Sequence, residues 1–329
     1  MTSNRKKVLI LGTLHPDGMK LFEGRGDVEF EVLTDVSEEN ILRHMAGVNG
    51  IGVRVAKITR RIVEASNGLQ VVSRHGVGYD AVDVDACTER GVRLTIAPRA
   101  NAPSVAEQAM MFLLALAKQV HVFDPLVRTA NWARRAEVHP FDLDGRTLLV
   151  IGLGRIGSRL VKRALAFDMR VLGYDPYITP AAIRAMGAEP VADFRAALGD
   201  VDAVSVHCPR NPETIGMIGA AELAALRPGA LVVNCARGGL IDEVAMVAAV
   251  RAGQVAGAGF DVFDAEPPAS DHPFFAEPRI LLTPHSAGMS LEATKRSAVQ
   301  TVENILATFD GTLDPAVVVN KEVLQGTAS

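Results

Sequence analysis

Three residues suited to acid–base and anion chemistry each stand just beyond an apolar run late in the chain: Arg237 in NCARGG, Glu266 in FDVFDAEPP and His285 in LLTPHSAG. A histidine beside a carboxylate has its imidazolium stabilised, so its pKa rises and it holds a proton near neutral pH. Such a group protonates an alkoxide as it forms from a carbonyl, or takes the proton back in the reverse direction. An arginine fork binds a carboxylate and polarises a neighbouring carbonyl. Each residue also has a plainer use: Arg237 as a helix C-cap or surface pair, Glu266 as a solvated turn residue before Pro267-Pro268, and His285 as a satisfied core histidine.

A second constellation is built from backbone. Between Arg146 and Ser158 the chain reads TLLVIGLGRIG, an apolar run ending in Gly152, Gly154 and Gly157 and continuing into an amphipathic segment. This reads as strand, tight turn and helix start. Gly152 permits the turn, Gly154 admits a pyrophosphate against the backbone, and Gly157 lets the helix pack closely on the strand, with Arg155 and Ile156 completing the loop. The helix N-terminus offers unpaired N–H groups and a partial positive charge to phosphates. A further strand, MRVLGYD, ends at Asp175, where a carboxylate accepts hydrogen bonds from ribose hydroxyls and repels a 2′-phosphate. NAD is therefore expected over NADP, with Asp175 as a plain turn opener before Pro176 as the alternative.

These groups need strands whose carboxyl ends lie side by side. The first hundred residues alternate the strand-like runs VLIL, VEFEVL, GIGVR, QVVSRHG and VRLTIA with helical segments, and the alternation restarts with TLLVIG, RVLGYD, AVSVHC, ALVVNCA, GAGFDVF and ILLTPH. Parallel sheets with crossover helices follow. The fold expected is α/β: two doubly wound parallel-sheet domains, a Rossmann NAD-binding domain (101–286) inserted into a flavodoxin-like substrate domain (1–100 and 287–329). The long helix SLEATKRSAVQTVENILATFDG cannot form a third core and is expected to return to the first domain, with ligands lying in a cleft beside the strand ends.

Composition narrows the function classes. The chain has 329 residues, 48% of them hydrophobic, and a formal charge of −4, which argues against nonspecific nucleic-acid or membrane-surface binding. Its three cysteines show neither a disulfide framework nor metal-ligand spacing, so no metal is called for and a reducing cytoplasm is expected. The run after the basic MTSNRKK is too short for a signal-peptide core. The stretch VAEQAMMFLLALAKQV is shorter than a bilayer span and reads as a buried helix at 105–118, covered by a second domain or a second subunit.

Taken together and in order, the segments RHGVGYDAVDVDAC (74–87), NAPSVAEQAM (101–110), GLGRIGSRL (152–160), HCPRNPET (207–214), NCARGGLIDE (234–243), GAGFDVFDAEP (257–267) and LLTPHSAG (281–288) resemble the D-isomer-specific 2-hydroxyacid dehydrogenase family. The resemblance implies that Arg237 binds the substrate carboxylate and carbonyl, that Glu266 supports the histidine, and that His285 is the general acid/base. It implies substrate-carboxylate contacts from the backbone of Gly76, Val77 and Gly78, a turn able to form an anion nest, and a cleft-facing role for Arg54, which reads equally as a surface arginine. It implies cofactor contacts from Ser104, from His207, Cys208 and Pro209 on the adenosine side, from Cys235 and Ala236 in the loop before Arg237, and from Asp261 to the nicotinamide carboxamide.

Arg99, Gln108 and Cys235 depart from the family's commoner residues, Gln108 standing where a histidine or aromatic is more usual. The resemblance extends to the catalytic part of phosphoglycerate dehydrogenases, with no C-terminal regulatory domain expected, and equally to hydroxypyruvate and glyoxylate reductases. The expected reaction interconverts a small anionic 2-keto acid and a D-2-hydroxy acid with NAD, in a homodimer built through the cofactor domains. Two alternatives stay open at this point: a nucleotide-sensing co-regulator on the same fold, and formate oxidation, whose branch resembles Gln rather than Glu at the position of Glu266.

Overall fold

Strands that are covered on both faces by crossover helices carry apolar side chains at nearly every position, and period two divides those side chains between two cores. The central strands of both sheets follow that rule. The computed structural model describes residues 5–327, so the first four residues of the basic N-terminal stretch lie outside it. The chain divides into two compact units, Met1–Asn101 with Gly288–Ser329, and Ala102–Ala287.

In the first unit β1 (Lys6–Leu11), β2 (Val28–Leu33), β3 (Val48–Val53), β4 (Val71–Arg74) and β5 (Arg93–Thr95) form one parallel sheet in the order β2-β1-β3-β4-β5, the flavodoxin-like arrangement. Leu9 and Leu11 of β1 pack into one core with Ile41 and Ile62, while Val8 and Ile10 pack into the opposite core with Phe22, Ala298, Val302 and Ile305. The return helix, Leu291–Asp310, is capped by the Ser290 hydroxyl, which accepts from the Ala293 N–H at 3.1 Å, and it ends at Gly311 in the left-handed region. It packs against the helix Pro16–Glu23 so closely that a Cβ at Gly18 would lie 2.6 Å from the Ala298 carbonyl.

In the second unit β6 (Thr147–Ile151), β7 (Arg170–Tyr174), β8 (Glu189–Pro190), β9 (Ala203–Val206), β10 (Ala230–Asn234), β11 (Val255–Phe260) and β12 (Ile280–Leu282) form a parallel sheet in the order β12-β11-β10-β9-β6-β7-β8. The order reverses between β6 and β9, and ligands of such sheets lie at the carboxyl ends beside that switch. Leu149 and Ile151 face one core and Leu148 and Val150 the other. The edge strand β8, which pairs Leu172 with Glu189 and Gly173 with Pro190, is absent from the expected strands because two residues carry no periodicity.

The apolar helix begins earlier than expected, spanning Ala102–Ala117, and it lies over the glycines of β11, where a Cβ at Gly259 would meet Phe112 at 2.4 Å. The segment after it is a helix, Val120–Arg128, with no buried residue, followed by a 3₁₀ turn at Trp132–Glu137. Among the described residues no single helix is long and apolar enough to cross a membrane.

Candidate active site

At the switch point the three glycines are separable by what surrounds them. A Cβ on Gly152 would lie 2.8 Å from the backbone of His207 and Cys208, and φ there is +91°, so only glycine carries the chain between the ends of β6 and β9. A Cβ on Gly157 would lie 1.9 Å from the Gly152 carbonyl oxygen, so the helix Gly157–Leu165 starts in contact with the turn. Nothing lies within 4 Å of a Cβ built on Gly154. Two of the glycines are thus demanded by the protein's own packing, while the third leaves open space where a pyrophosphate would approach the backbone and the first amides of the helix. The residues present fit a dinucleotide.

Asp175 follows β7 and opens the turn there, as one of the two readings had it. One oxygen accepts the Tyr177 N–H at 3.0 Å, as a turn opener does, and the other accepts the Leu153 N–H at 2.9 Å, tying the end of β7 to the glycine turn. A carboxylate oxygen has more than one lone pair, so acceptor capacity remains for a ribose hydroxyl. His207 is partly buried: its Nε2 lies 2.8 Å from the Ser205 hydroxyl, and its enclosed Nδ1 has no partner. Desolvation lowers its pKa to about 4, so it is neutral. The Cys208 thiol is pushed up to about 11 by burial and lies 3.5 Å from the Met217 sulfur. Pro209 turns the chain with its carbonyl accepting the Thr214 hydroxyl at 2.6 Å.

The acid–base corner is assembled by β10, β11 and β12, which are adjacent in the sheet, so the loops after them meet. His285 Nδ1 lies 2.6 Å from Glu266 Oε2, and the other oxygen of Glu266 accepts the Phe263 N–H at 3.1 Å. The hydrogen bond that His285 donates to Glu266 raises the His285 pKa against the opposing effect of burial; Arg237 pulls it down and Asp261 up. Burial works to raise the Glu266 pKa, but the hydrogen bond from His285 and the nearby charges of His285 and Arg237 leave it below its ordinary value. With Nδ1 engaged, Nε2 is the nitrogen left to exchange a proton, and the side chain is 49% exposed.

His285 sits at φ +50°, an uncommon conformation for a residue with a side chain. Two carbonyls hold it there, those of Asp261 at 2.7 Å and Thr283 at 3.0 Å, both accepting the His285 N–H. Asp261 is 1% exposed and wraps the same loop: Oδ1 accepts the Thr283 hydroxyl at 2.5 Å and the Ser286 N–H at 2.8 Å, and Oδ2 accepts the Ala287 N–H at 2.9 Å. Asp261 is thus an anchor of the histidine loop, beyond the cofactor role expected of it. The Arg237 loop is held by buried Asn234, whose amide donates to the Arg237 carbonyl at 2.8 Å and whose Oδ1 accepts the Ala236 N–H at 3.0 Å. Cys235 is buried beside it, and burial raises its thiol well above the ordinary value. Ser104 is buried in the first turn of the helix Ala102–Ala117.

In the first unit, the glycine-containing turn follows β4. Gly76 has φ +122° and its carbonyl accepts the Ala97 N–H at 2.7 Å; Gly78 has its carbonyl held by Arg74 Nε at 2.8 Å. Arg74 therefore braces the turn. Arg54 follows β3 and donates to the Thr13 carbonyl at 2.9 Å. His75 Nε2 lies 3.3 Å from the Thr294 carbonyl, and burial lowers its pKa to about 4, so it adds no positive charge at neutral pH.

The model of the D-isomer specific 2-hydroxyacid dehydrogenase NAD binding domain matches residues 110–287. The chain belongs to this family. A D-3-phosphoglycerate dehydrogenase of Methanocaldococcus jannaschii is 38% identical over 95% of this chain, and the chain spans 59% of that relative's length. Among solved structures, a protein from Thermus thermophilus superposes with a TM-score of 0.80 at 33% identity, covering 95% of this chain and 99% of that one. An NADPH-dependent glyoxylate/hydroxypyruvate reductase from Sinorhizobium meliloti, solved with NADP and malonate, superposes with a TM-score of 0.84 at 28% identity, covering 97% and 98% of the two chains.

In this member of the family, several residues of the corner were not singled out from the sequence as contributors. Gln108 donates from Nε2 to the Thr283 hydroxyl at 3.2 Å, which in turn donates to Asp261, so a departure from the family pattern is part of the histidine loop's support. Asn234 and Thr283 are polar residues at the ends of apolar strands, and that contrast is the signal that marks them.

Proposed function

We propose that this protein is an NAD-linked oxidoreductase that interconverts a small anionic 2-keto acid and a D-2-hydroxy acid. The observation that carries the reading is the 2.6 Å His285–Glu266 contact in adjoining strand-end loops, with Arg237 close enough to bias both groups. Bound NAD(H) supplies or accepts the hydride at the substrate's C2. His285, protonated on both nitrogens through Glu266's support, gives its Nε2 proton to the carbonyl oxygen during reduction and recovers one during oxidation. Arg237 binds the carboxylate and draws electron density from the carbonyl, acting where negative charge develops. Gly152, Gly154, Arg155, Ile156 and Gly157 seat the pyrophosphate; Asp175 favours NAD; Ser104, His207, Cys208, Pro209, Cys235, Ala236 and Asp261 contribute further cofactor contacts. Gly76, Val77 and Gly78 with Arg54 contribute substrate contacts, which makes the first unit the substrate domain. Hydroxypyruvate, glyoxylate and 3-phosphoglycerate are the candidate substrates.

The test is NADH oxidation by the purified protein against glyoxylate, hydroxypyruvate, phosphohydroxypyruvate and bulkier apolar 2-keto acids, with NADPH in parallel. Turnover with one of them, faster with NADH, supports the reading. Silence across the panel with NADH binding intact overturns it in favour of a nucleotide-sensing protein.

A homodimer through the second unit is part of the proposal. Met111, Val120, Val127, Trp132 and Phe167, on the helix Ala102–Ala117 and on other segments of this unit, are all exposed, Val127 by 58% and Trp132 by 61%. A second copy covering these apolar side chains removes them from water. Light scattering that returned a monomer would end this part of the reading. The free cysteines and the net charge of −4 support a cytoplasmic protein that binds neither nucleic acid nor membrane, which fractionation of cells checks.

A further inference from the structure

Behind the acid–base corner lies a second histidine–carboxylate pair that the proposed chemistry does not use. Glu243 opens the helix Glu243–Arg251, and its Oε2 lies 3.0 Å from His272 Nε2, with the two side chains 11% and 12% exposed. His272 Nδ1 accepts the Phe274 N–H at 3.3 Å, which places the ring proton on Nε2, facing Glu243. Phe263 and Phe274 stand edge-on to the His272 ring at 5.6 and 4.9 Å between centroids and shield the pair from water.

The pair reaches the corner through two successive peptides. Glu243 Oε1 accepts the Asp264 N–H at 3.0 Å, and the preceding amide, Phe263 N–H, donates to Glu266 Oε1 at 3.1 Å. Successive amides thus hold the largely covered Glu243 carboxylate on one side and the carboxylate paired with His285 on the other. The Phe263 carbonyl oxygen lies 1.9 Å from where a Cβ on Gly238 would be, so the residue after Arg237 is pressed against the same peptide. Asp264 Oδ1 also accepts the Gly239 N–H at 2.5 Å. The 237–239 loop and the 263–266 loop are therefore fastened together at the point that Glu243 grips.

We infer that Glu243 and His272 form a positioning pair: by holding the peptide between Phe263 and Asp264, they set where Glu266 meets His285 and how firmly His285 keeps its proton. Its catalytic consequence rests on the function proposed above; its effect on His285 does not. The charged groups facing His285 are Glu266, Arg237 and Asp261. In Glu243→Gln the amide oxygen still accepts from Asp264, but the new NH₂ faces the His272 N–H, so one of the two bonds is lost. In His272→Phe the aromatic packing stays and only the polar contact to Glu243 goes.

The experiment is an NMR titration of the His285 ring in the wild type and both variants, with the resonance assigned by its absence in His285→Gln. The titration midpoint is expected to fall by about half a unit to one unit in each variant, since a displaced carboxylate stabilises the imidazolium less. Kinetics on the same proteins should show kcat for keto-acid reduction lowered roughly tenfold, its alkaline limb moved to lower pH and KM for NADH unchanged. An unchanged midpoint and unchanged limb in a folded variant with lowered Tm would show a merely structural pair and overturn the inference. If Glu243→Gln does not fold, His272→Phe decides by the same readout. Wild-type inactivity on every keto acid would sink the proposed function, while the NMR midpoint would still decide this inference.

Discussion

The glycine turn after β6 and the acid–base corner after β10, β11 and β12 stand at the same edge of one sheet, yet they are built in opposite ways. The turn is contiguous, made of backbone, and its requirements are steric: Gly152 and Gly157 are excluded from bearing side chains by atoms at 2.8 and 1.9 Å. The corner is made of side chains from three separate loops and depends on hydrogen bonds between them, such as His285–Glu266 and Asp261 to the histidine loop. A contiguous backbone device is robust to sequence change outside it and intolerant within it. A dispersed side-chain device can be weakened gradually from several directions.

This contrast is broken most severely by removing the histidine of the corner. His285→Ala is expected to lower turnover by about 10²–10⁴-fold, the range of a lost general acid, with NADH affinity nearly intact because the turn is untouched. Stopped-flow turnover beside fluorescence titration of NADH measures both, and undiminished turnover removes His285 from the mechanism. Next in size is Gly157→Ala, which forces a Cβ toward the Gly152 carbonyl oxygen and should cost about 1–3 kcal/mol of stability. Calorimetry should show the lowered Tm and titration a weakened NADH affinity; an unaffected variant would mean the turn yields easily.

Glu266→Gln sharpens the comparison by leaving shape and removing charge. Its partner's pKa should fall, so the alkaline limb of keto-acid reduction moves to lower pH, with turnover lowered roughly tenfold or more. The linked stability effect has a definite window. The His285 pKa is raised from 6.5, so its contribution is full below that value and is lost as pH rises through the raised one. The Glu266 pKa is lowered from 4.5, so its contribution is present above that value and is lost as pH falls through the lowered one. Between those two reference values the pair stabilises most, and Tm against pH for the wild type minus the Gln variant should peak there. Both side chains are over a third exposed, so the peak should be low.

Smaller effects are expected at the edges of the two devices. Asp175→Ser should lower the NADH-to-NADPH preference by about tenfold, as the repulsion of a 2′-phosphate is removed. Some loss of NADH affinity should accompany it, because Asp175 also ties the Leu153 amide. An unchanged ratio would reduce Asp175 to its turn. A separate effect is acid lability from His207, held near pKa 4 by burial against 6.5 when free. The unfolded chain takes that proton first, so stability declines as pH falls from 6.5 toward 4, and His207→Asn should flatten Tm over that interval.

Legibility in the sequence follows the same division. The apolar runs of β1, β6 and β10 announce parallel strands covered on both faces, and the glycine turn announces its own geometry within a dozen positions. The histidine, glutamate and arginine stand out because polar residues at the ends of apolar runs are conspicuous. The two-residue β8 is too short to show a period. The helix Val120–Arg128 contains Pro125 and buries nothing, so neither pattern nor breaker rule marks it as helix. Nothing in the sequence marks Arg74 as the brace of the Gly78 carbonyl that it proves to be.

By itself the sequence determined the α/β alternation and the glycine turn, because strand periodicity and glycine sterics are local. Only the tertiary structure decided that β10, β11 and β12 lie side by side, and hence showed the 2.6 Å approach of Glu266 to His285 that the family resemblance implied. It likewise decided that Asp261, Gln108 and Thr283 hold the histidine loop, and that Glu243 grips the peptide next to Glu266. Strand order and hydrogen bonds between distant loops arise from packing the whole sheet, and no window of sequence contains both partners.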